Sequence, residues 1–256
     1  MKLDQVAVQL YTLREFCKTA EDYAATLKRV KAIGYQAIQI SAVGPIPASE
    51  LRSIAEGEGL TICATHEPSL TIVNEPQRVA DRLCELGCKY TAYPSPAGVD
   101  FHDAEAVFKW IAQLDAAGAV LRNAGQVLTY HNHAGEFVHI EGRPILAWLY
   151  EKTAPEHLQA ELDTFWVQAG GGSPEGWCEK LAGRLPLLHI KDYAVTPDHV
   201  RQFAEIGYGN LDFPRIIDAA DKAGCEWYIV EQDTCPGDPF VSIEKSFNYI
   251  KENLVS

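Results

Sequence analysis

The sequence predicts a (β/α)8 barrel, the TIM-barrel architecture, built as one domain over residues 1–256. Helix-like and strand-like segments alternate from end to end. The joint between them recurs as a glycine, one or two polar or small residues, then a short apolar run. Dividing the 256 residues by eight gives 32 per unit, about the size of one strand plus one helix in a barrel of roughly 250 residues.

The glycine joints stand at Gly34 before 37–40, Gly59 before 60–64, Gly87 before 90–93, Gly125 before 127–130 and Gly224 before 227–230. Glycine closes a helix without a Cβ penalty, and short helix-to-strand loops belong to parallel α/β folds. Strands are expected at 5–10, 37–41, 60–66, 89–94, 126–133, 158–163, 186–191 and 226–231. Helical stripes lie between them: Tyr23, Leu27, Val30 and Ile33; Val79, Leu83 and Leu86; Ala104, Val107, Phe108, Ile111 and Leu114; Ile243, Phe247, Ile250 and Leu254. A doubly wound open sheet would carry a glycine-rich turn after its first strand. Here that strand runs into Gln9-Leu10-Tyr11-Thr12-Leu13-Arg14, with no glycine. Gly170-Gly171-Gly172-Ser173-Pro174 reads as the loop after the sixth strand plus a helix N-terminus.

Composition narrows the function. Lys plus Arg is 22 and Asp plus Glu is 35, a net charge of −13. That argues against nucleic acid and against a polybasic membrane anchor. No apolar run approaches a membrane span, and the N-terminus, with Asp4 and no long apolar segment, does not read as a signal peptide. Seven scattered cysteines, an odd number, point to a reducing cytoplasm. Cys63 and Cys225 sit in or beside apolar runs and read as packing.

In such a barrel the active site lies where the strands end. Strand 3 ends in Ala64-Thr65-His66-Glu67, strand 5 in Tyr130-His131-Asn132-His133, strand 6 in Glu161-Leu162-Asp163, strand 7 in His189-Ile190-Lys191-Asp192 and strand 8 in Val230-Glu231-Gln232-Asp233. A lone histidine or acid at a strand end is more often structural than functional. Their coincidence on consecutive strands is different, because crowded carboxylates need a cation. Asp163, His189 and Glu231 are candidate ligands for a divalent metal, with either Glu136 or His131 as the fourth. Mixed carboxylate and imidazole donors suit Mn, Co or Zn, with Mg also open. His131 and His133 share a strand face by alternation. Lys191 fits two roles, a hydrogen bond to substrate or an ion pair with a carboxylate. His66, Trp166 and Tyr11 are candidate substrate contacts, Trp166 also reading as packing. His102, His139, His157 and His199 fall in loops or at helix edges.

These segments, together with Val8-Gln9-Leu10-Tyr11-Thr12-Leu13-Arg14 and Gly207-Tyr208-Gly209-Asn210-Leu211-Asp212-Phe213, resemble the xylose isomerase-like TIM-barrel superfamily, in its sugar phosphate isomerase/epimerase branch. The resemblance covers nearly the whole chain. It implies a metal set drawn from strands 5 to 8, carried onto Asp163, His189 and Glu231, with Glu136 favoured ahead of His131 for the remaining position. It implies proton abstraction next to a carbonyl with a metal-stabilised enediolate, hence a sugar isomerase or epimerase. His131 or His133 would serve as base, Glu231 would double as ligand and base, and Lys191 would stabilise charge. The alternative is a metal-dependent lyase or dehydratase of a keto-sugar or keto-inositol. A DNA phosphodiesterase is disfavoured by the charge, and a barrel that only binds is disfavoured by the retained ligand set. The implied partner is a small sugar or polyol, with room for a homo-oligomer.

Overall fold

A computed structural model describes residues 1–255. Eight parallel strands close into a barrel: β1 (Val6–Gln9), β2 (Ala37–Ile40), β3 (Thr61–His66), β4 (Tyr90–Tyr93), β5 (Val127–His131), β6 (Gln159–Asp163), β7 (Leu187–Ile190) and β8 (Trp227–Val230). Each strand pairs with its sequence neighbours, and β1 pairs with β8 to close the ring. The expected eight strands are therefore present, most of them shorter than the sequence suggests. β5 stops at His131, and the chain then enters a short 3-10 turn, Ala134–Phe137, so His133 lies beyond the strand. Gly87 and Gly224 end their helices in the left-handed conformation, at φ 67° and 90°.

Strand alternation sorts the side chains into two cores. Ala7, Ala37, Cys63, Ala64, Tyr90, Leu187 and Ile229 pack together inside the barrel. Val8, Ile38, Leu128, Leu162, Leu188 and Val230 belong to the larger core shared with the surrounding helices. The helical stripes Tyr23/Leu27/Val30, Val79/Leu83/Leu86 and Ile243/Phe247/Ile250 supply its other side.

The one irregularity in the barrel register is on β3. Ile38 pairs with Ile62 but Gln39 pairs with Ala64, so Cys63 is an inserted residue. The insertion reverses the alternation beyond it. Ala64 and His66 then take the inward positions, while Thr65 bonds to Thr91 of β4 at 2.9 Å.

Two departures from the expected layout sit at the C-terminal end. A short helix, Thr164–Ala169, follows β6 directly and precedes the glycine run, with the next helix starting at Pro174. An antiparallel ribbon, Asp192–Val195 with Arg201–Ala204, rises beyond β7. The Asp192 carboxylate fixes the following loop by accepting from the backbone N–H groups of Gly207, Gly209 and Leu211. A Cβ at Gly209 would fall 2.3 Å from that carboxylate, so only glycine fits there.

The two-sided burial predicts unequal costs for equal truncations. Leu188→Ala, at a fully buried position, should lower stability in urea unfolding by about 2–5 kcal/mol. Leu70→Ala, at a position 58% exposed, should stay within about 0.5 kcal/mol. Similar losses at both sites would contradict this division of the core.

Candidate active site

Alternation along the strands places Glu161 and Asp163, His189 and Lys191, and His131 on the inner face at the C-terminal end, with Glu231 one step past β8. They form two connected tiers. In the lower tier Glu161 lies fully buried. Its Oε1 is 2.5 Å from His66 Nε2, and its Oε2 accepts from Gln39 Nε2 at 2.6 Å. His189 Nε2 stands 2.6 Å from Gln39 Oε1, which also accepts from Gln9 Nε2 at 3.0 Å.

The upper tier is the mouth. His131, Asp163, His189 and Glu231 offer donor atoms that all lie within 4.8 Å of one another. A second grouping within the same limit, His66, His131, Glu161 and His189, joins it from below. His189 Nδ1 is 3.0 Å from Glu231 Oε2, and His131 Nε2 is 3.9 Å from Asp163 Oδ2. Lys191, only 1% exposed, reaches into the same space. Its Nζ lies 2.7 Å from Asp233 Oδ1, 2.9 Å from Glu231 Oε2 and 3.4 Å from Asp163 Oδ2. The rings of Trp166 and Phe203 stand 5.3 and 5.1 Å from that ammonium.

Burial and charge pull against each other here. Burial pushes the Asp163 carboxyl up to about 7, against the Lys191 ammonium. Burial alone would lower His189, but the Glu161 and Glu231 carboxylates overcome it and raise the ring to about 10. Burial would also raise Glu161, yet His189 and His66 hold it well below the usual carboxylate range. Desolvation lowers His131 well below its ordinary value, and lowers His133 to about 4.

The donor set fits a divalent cation. Asp163 Oδ2 is buried with no hydrogen-bond partner, and so is His131 Nδ1. Two carboxylates and two imidazoles within reach of one point form a hard-to-borderline donor set of the kind such ions take. Lys191 supplies part of the same compensation from within the chain.

Glu136, the favoured fourth ligand, does not join the group. The 3-10 turn folds it back, but onto Tyr130, whose OH donates to its Oε1 at 2.6 Å, and onto the His133 backbone N–H, which donates to Oε2 at 2.9 Å. Tyr130 precedes His131 and so faces the opposite side of β5, among Tyr93 and Trp110. Glu136 is thereby drawn to the helix side, and the strand-5 member of the cluster is His131. Lys191 takes the ion-pair arrangement.

His133 is half-buried, 5.0 Å ring to ring from His131, and its Nδ1 has no partner. It helps to line a cavity of about 230 Å³ at the mouth, together with Tyr11, Ser41, His66, Lys191 and Glu231. Trp166 is not among those walls; its ring backs His133 at 5.2 Å. His102, His139 and His199 are exposed, whereas His157 is half-buried 3.2 Å from Asp115.

Sequence reading passed over Gln9, Gln39, Glu161 and Asp233. Glu161 carried a usable signal, since it stands two residues before Asp163 and shares its strand face. The glutamines carried none.

A larger cavity of about 570 Å³ adjoins the mouth and shares Ser41 and His66 with it. Residues 42–46, Glu67, Thr71, Arg78 and Arg82 line it.

The model of the xylose isomerase-like TIM barrel family matches residues 27–253, and the chain belongs to that family. No curated protein matches. Among solved structures, a sugar phosphate isomerase/epimerase from Parabacteroides distasonis ATCC 8503 superposes with a TM-score of 0.84 at 22% identity, covering 99% of this chain and 96% of that one. An L-ribulose 3-epimerase gives 0.76 at 15% identity, covering 99% and 95%. A xylose isomerase-like barrel from Mycobacterium smegmatis in complex with magnesium gives 0.74 at 14%, covering 97% and 95%. At these identities the likeness is one of fold.

Two substitutions test this geometry. Glu136→Gln cannot accept at both oxygens, so it should lower stability by about 1–3 kcal/mol while leaving Mn²⁺ affinity unchanged within about twofold. A large loss of affinity by calorimetry would return Glu136 to the ligand set. Lys191→Met leaves the carboxylates uncompensated and should destabilise the metal-free protein by about 3–5 kcal/mol. An unchanged melting temperature would show that the ammonium is not their counter-charge.

Proposed function

We propose that the protein is a metal-dependent sugar isomerase or epimerase that moves a proton next to a carbonyl. The observation that carries this reading is the convergence of His131, Asp163, His189 and Glu231 at the open end of the barrel. Those four would hold the ion, and Mn, Co, Zn and Mg all remain compatible with the donors. Bound there, a divalent cation would supply Lewis-acid polarisation of the substrate's oxygens. The magnesium complex of the M. smegmatis barrel and the epimerase relatives support the assignment by kinship of fold.

The chain's own groups supply the rest. His133 lines the cavity beside the cluster, and its imidazole would take the proton from a substrate carbon held there. Glu231 lines the same cavity and would return it. His66 and Lys191 line the same cavity, where the Lys191 ammonium would place positive charge beside the substrate's oxygens. Tyr11, about one-third exposed at 36%, gives the sugar ring a partly apolar edge. The fully buried surroundings of Asp163 and His189 keep water from the floor of the site.

The adjoining 570 Å³ cavity favours a second reading. A mouth of about 230 Å³ is small for a ligand site, where about 300–1,000 Å³ is usual. A substituent beyond the sugar ring has space to lie past His66, and its departure would make the enzyme a lyase of keto-sugars or keto-inositols.

One experiment separates these. Purified protein with Mn²⁺ is incubated with ketoses, 3-keto-glycosides and an inosose, and products are followed by mass and by NMR. Epimerisation leaves the mass unchanged, while elimination removes water or the substituent. His133→Asn should lower turnover by about 10²–10⁴-fold with Mn²⁺ affinity intact. Full activity in that variant would reject His133 as the base, and inertness of the wild type toward all three classes would reject the enzyme reading.

A further inference from the structure

We propose that Gln39 is a positioning residue that keeps the ring proton of His189 on Nε2 and so presents Nδ1 to Asp163 and Glu231. Glu161 supports it twice, by locking the orientation of the Gln39 amide through Oε2 and by placing Oε1 3.0 Å from the same His189 nitrogen. The inference rests on the metal reading above and names how this chain prepares one member of its donor set.

The argument needs only donor and acceptor identities. An ionised Glu161 carboxylate accepts and never donates. The Gln39 atom 2.6 Å from its Oε2 must therefore be the amide nitrogen, as it is placed. That puts Gln39 Oε1 toward His189. Carbonyl oxygen also only accepts, so His189 Nε2, at 2.6 Å, must carry the proton. The neighbours agree. Gln9 Nε2 donates to the same Gln39 oxygen at 3.0 Å, filling its second lone pair, and turns its other N–H toward His66 Nδ1 at 3.5 Å. His66 then has Nδ1 as acceptor and Nε2 as donor, which matches its 2.5 Å contact with Glu161 Oε1. All five groups are held by one consistent set of protons, and reversing the Gln39 amide would break three contacts at once.

The consequence falls on the far side of the ring. His189 Nδ1 lies 3.0 Å from Glu231 Oε2 and faces the mouth. A cation bound beside Asp163 and Glu231 needs a nitrogen lone pair there. With Nε2 held as the donor toward Gln39, Nδ1 is the ring atom that would be offered to such a cation. A metal-bound histidine usually hands its second N–H to a carboxylate or backbone carbonyl. Here a side-chain amide takes the nearer place, 2.6 Å from Nε2, and shares it with the Glu161 carboxylate, whose Oε1 lies 3.0 Å from the same nitrogen.

The test uses ¹⁵N-histidine-labelled full-length protein and Zn²⁺ as the probe. In the Zn²⁺-loaded wild type, long-range imidazole spectra should show His189 protonated at Nε2, the signal being assigned by its loss in His189→Asn. Gln39→Leu removes the nearer acceptor, so it should weaken Zn²⁺ binding by about 10–100-fold and shift the Nε2 proton signal, leaving Glu161 Oε1 as the remaining acceptor. Glu161→Gln frees the amide to turn and should also weaken binding. The double variant should lose less than the sum of the two single losses, because Gln39 and Glu161 hold each other and act on the same ring nitrogen. Gln39→Met replaces Gln39→Leu if the latter does not fold, folding being checked by metal-free melting. A proton on Nδ1 in the wild type, unchanged Zn²⁺ affinity in a folded Gln39 variant, or fully additive losses would overturn the proposal. A wild type that takes up no Zn²⁺, Mn²⁺ or Mg²⁺ would instead reject the metal reading, and this inference with it.

Discussion

Four carboxylates crowded at one end of a closed barrel set the terms for everything built around them. Glu161, Asp163 and Glu231 are buried, and Asp233 stands at the edge. An isolated buried charge is too costly to keep, so each must find a cation or donors. Lys191 answers three of them through a single ammonium, and Gln39 with His66 answers the fourth. The ribbon beyond β7 follows from the same need. Phe203 on that ribbon and Trp166 after β6 roof the lysine, and Asp192 pins the loop that follows the ribbon. An apolar cover strengthens the ion pairs beneath it, because fewer water molecules compete.

The barrel was legible because its signals repeat. Glycine joints and three-to-four-residue stripes recur, so a weak indication at one joint is reinforced by the next. The site was legible where a charged or imidazole residue closes a strand, as at Asp163, His189 and Glu231. At the fourth place the structure brings His131 rather than Glu136 to the cluster, for a geometrical reason. A carboxylate is the stronger chemical signal, and Glu136 lies close to His131 in sequence. Its direction, however, is decided by Tyr130, whose hydroxyl faces away from the barrel axis. Sequence distance says nothing of which face a turn returns to. Gln9 and Gln39 were illegible for a different reason: a neutral amide on a strand carries no charge that demands a partner. Its importance appears only when the acceptor beside it is seen to have no proton to give.

The β3 insertion shows how one residue can change the chemistry of a whole mouth. Without Cys63 as an extra residue, the inward positions of that strand would run Cys63, Thr65, Glu67. A fifth carboxylate would then face Lys191 and the histidines. With the insertion they run Ala64, His66, and Glu67 passes to the neighbouring cavity, where Arg82 donates to it at 3.0 Å. The exchange has two effects. It gives Glu161 an imidazole donor in place of a repelling acid, and it sets an arginine–carboxylate pair against the larger cavity. The divide between the smaller mouth cavity and the space beside it therefore follows from a single break in alternation, with His66 on the boundary and in the walls of both.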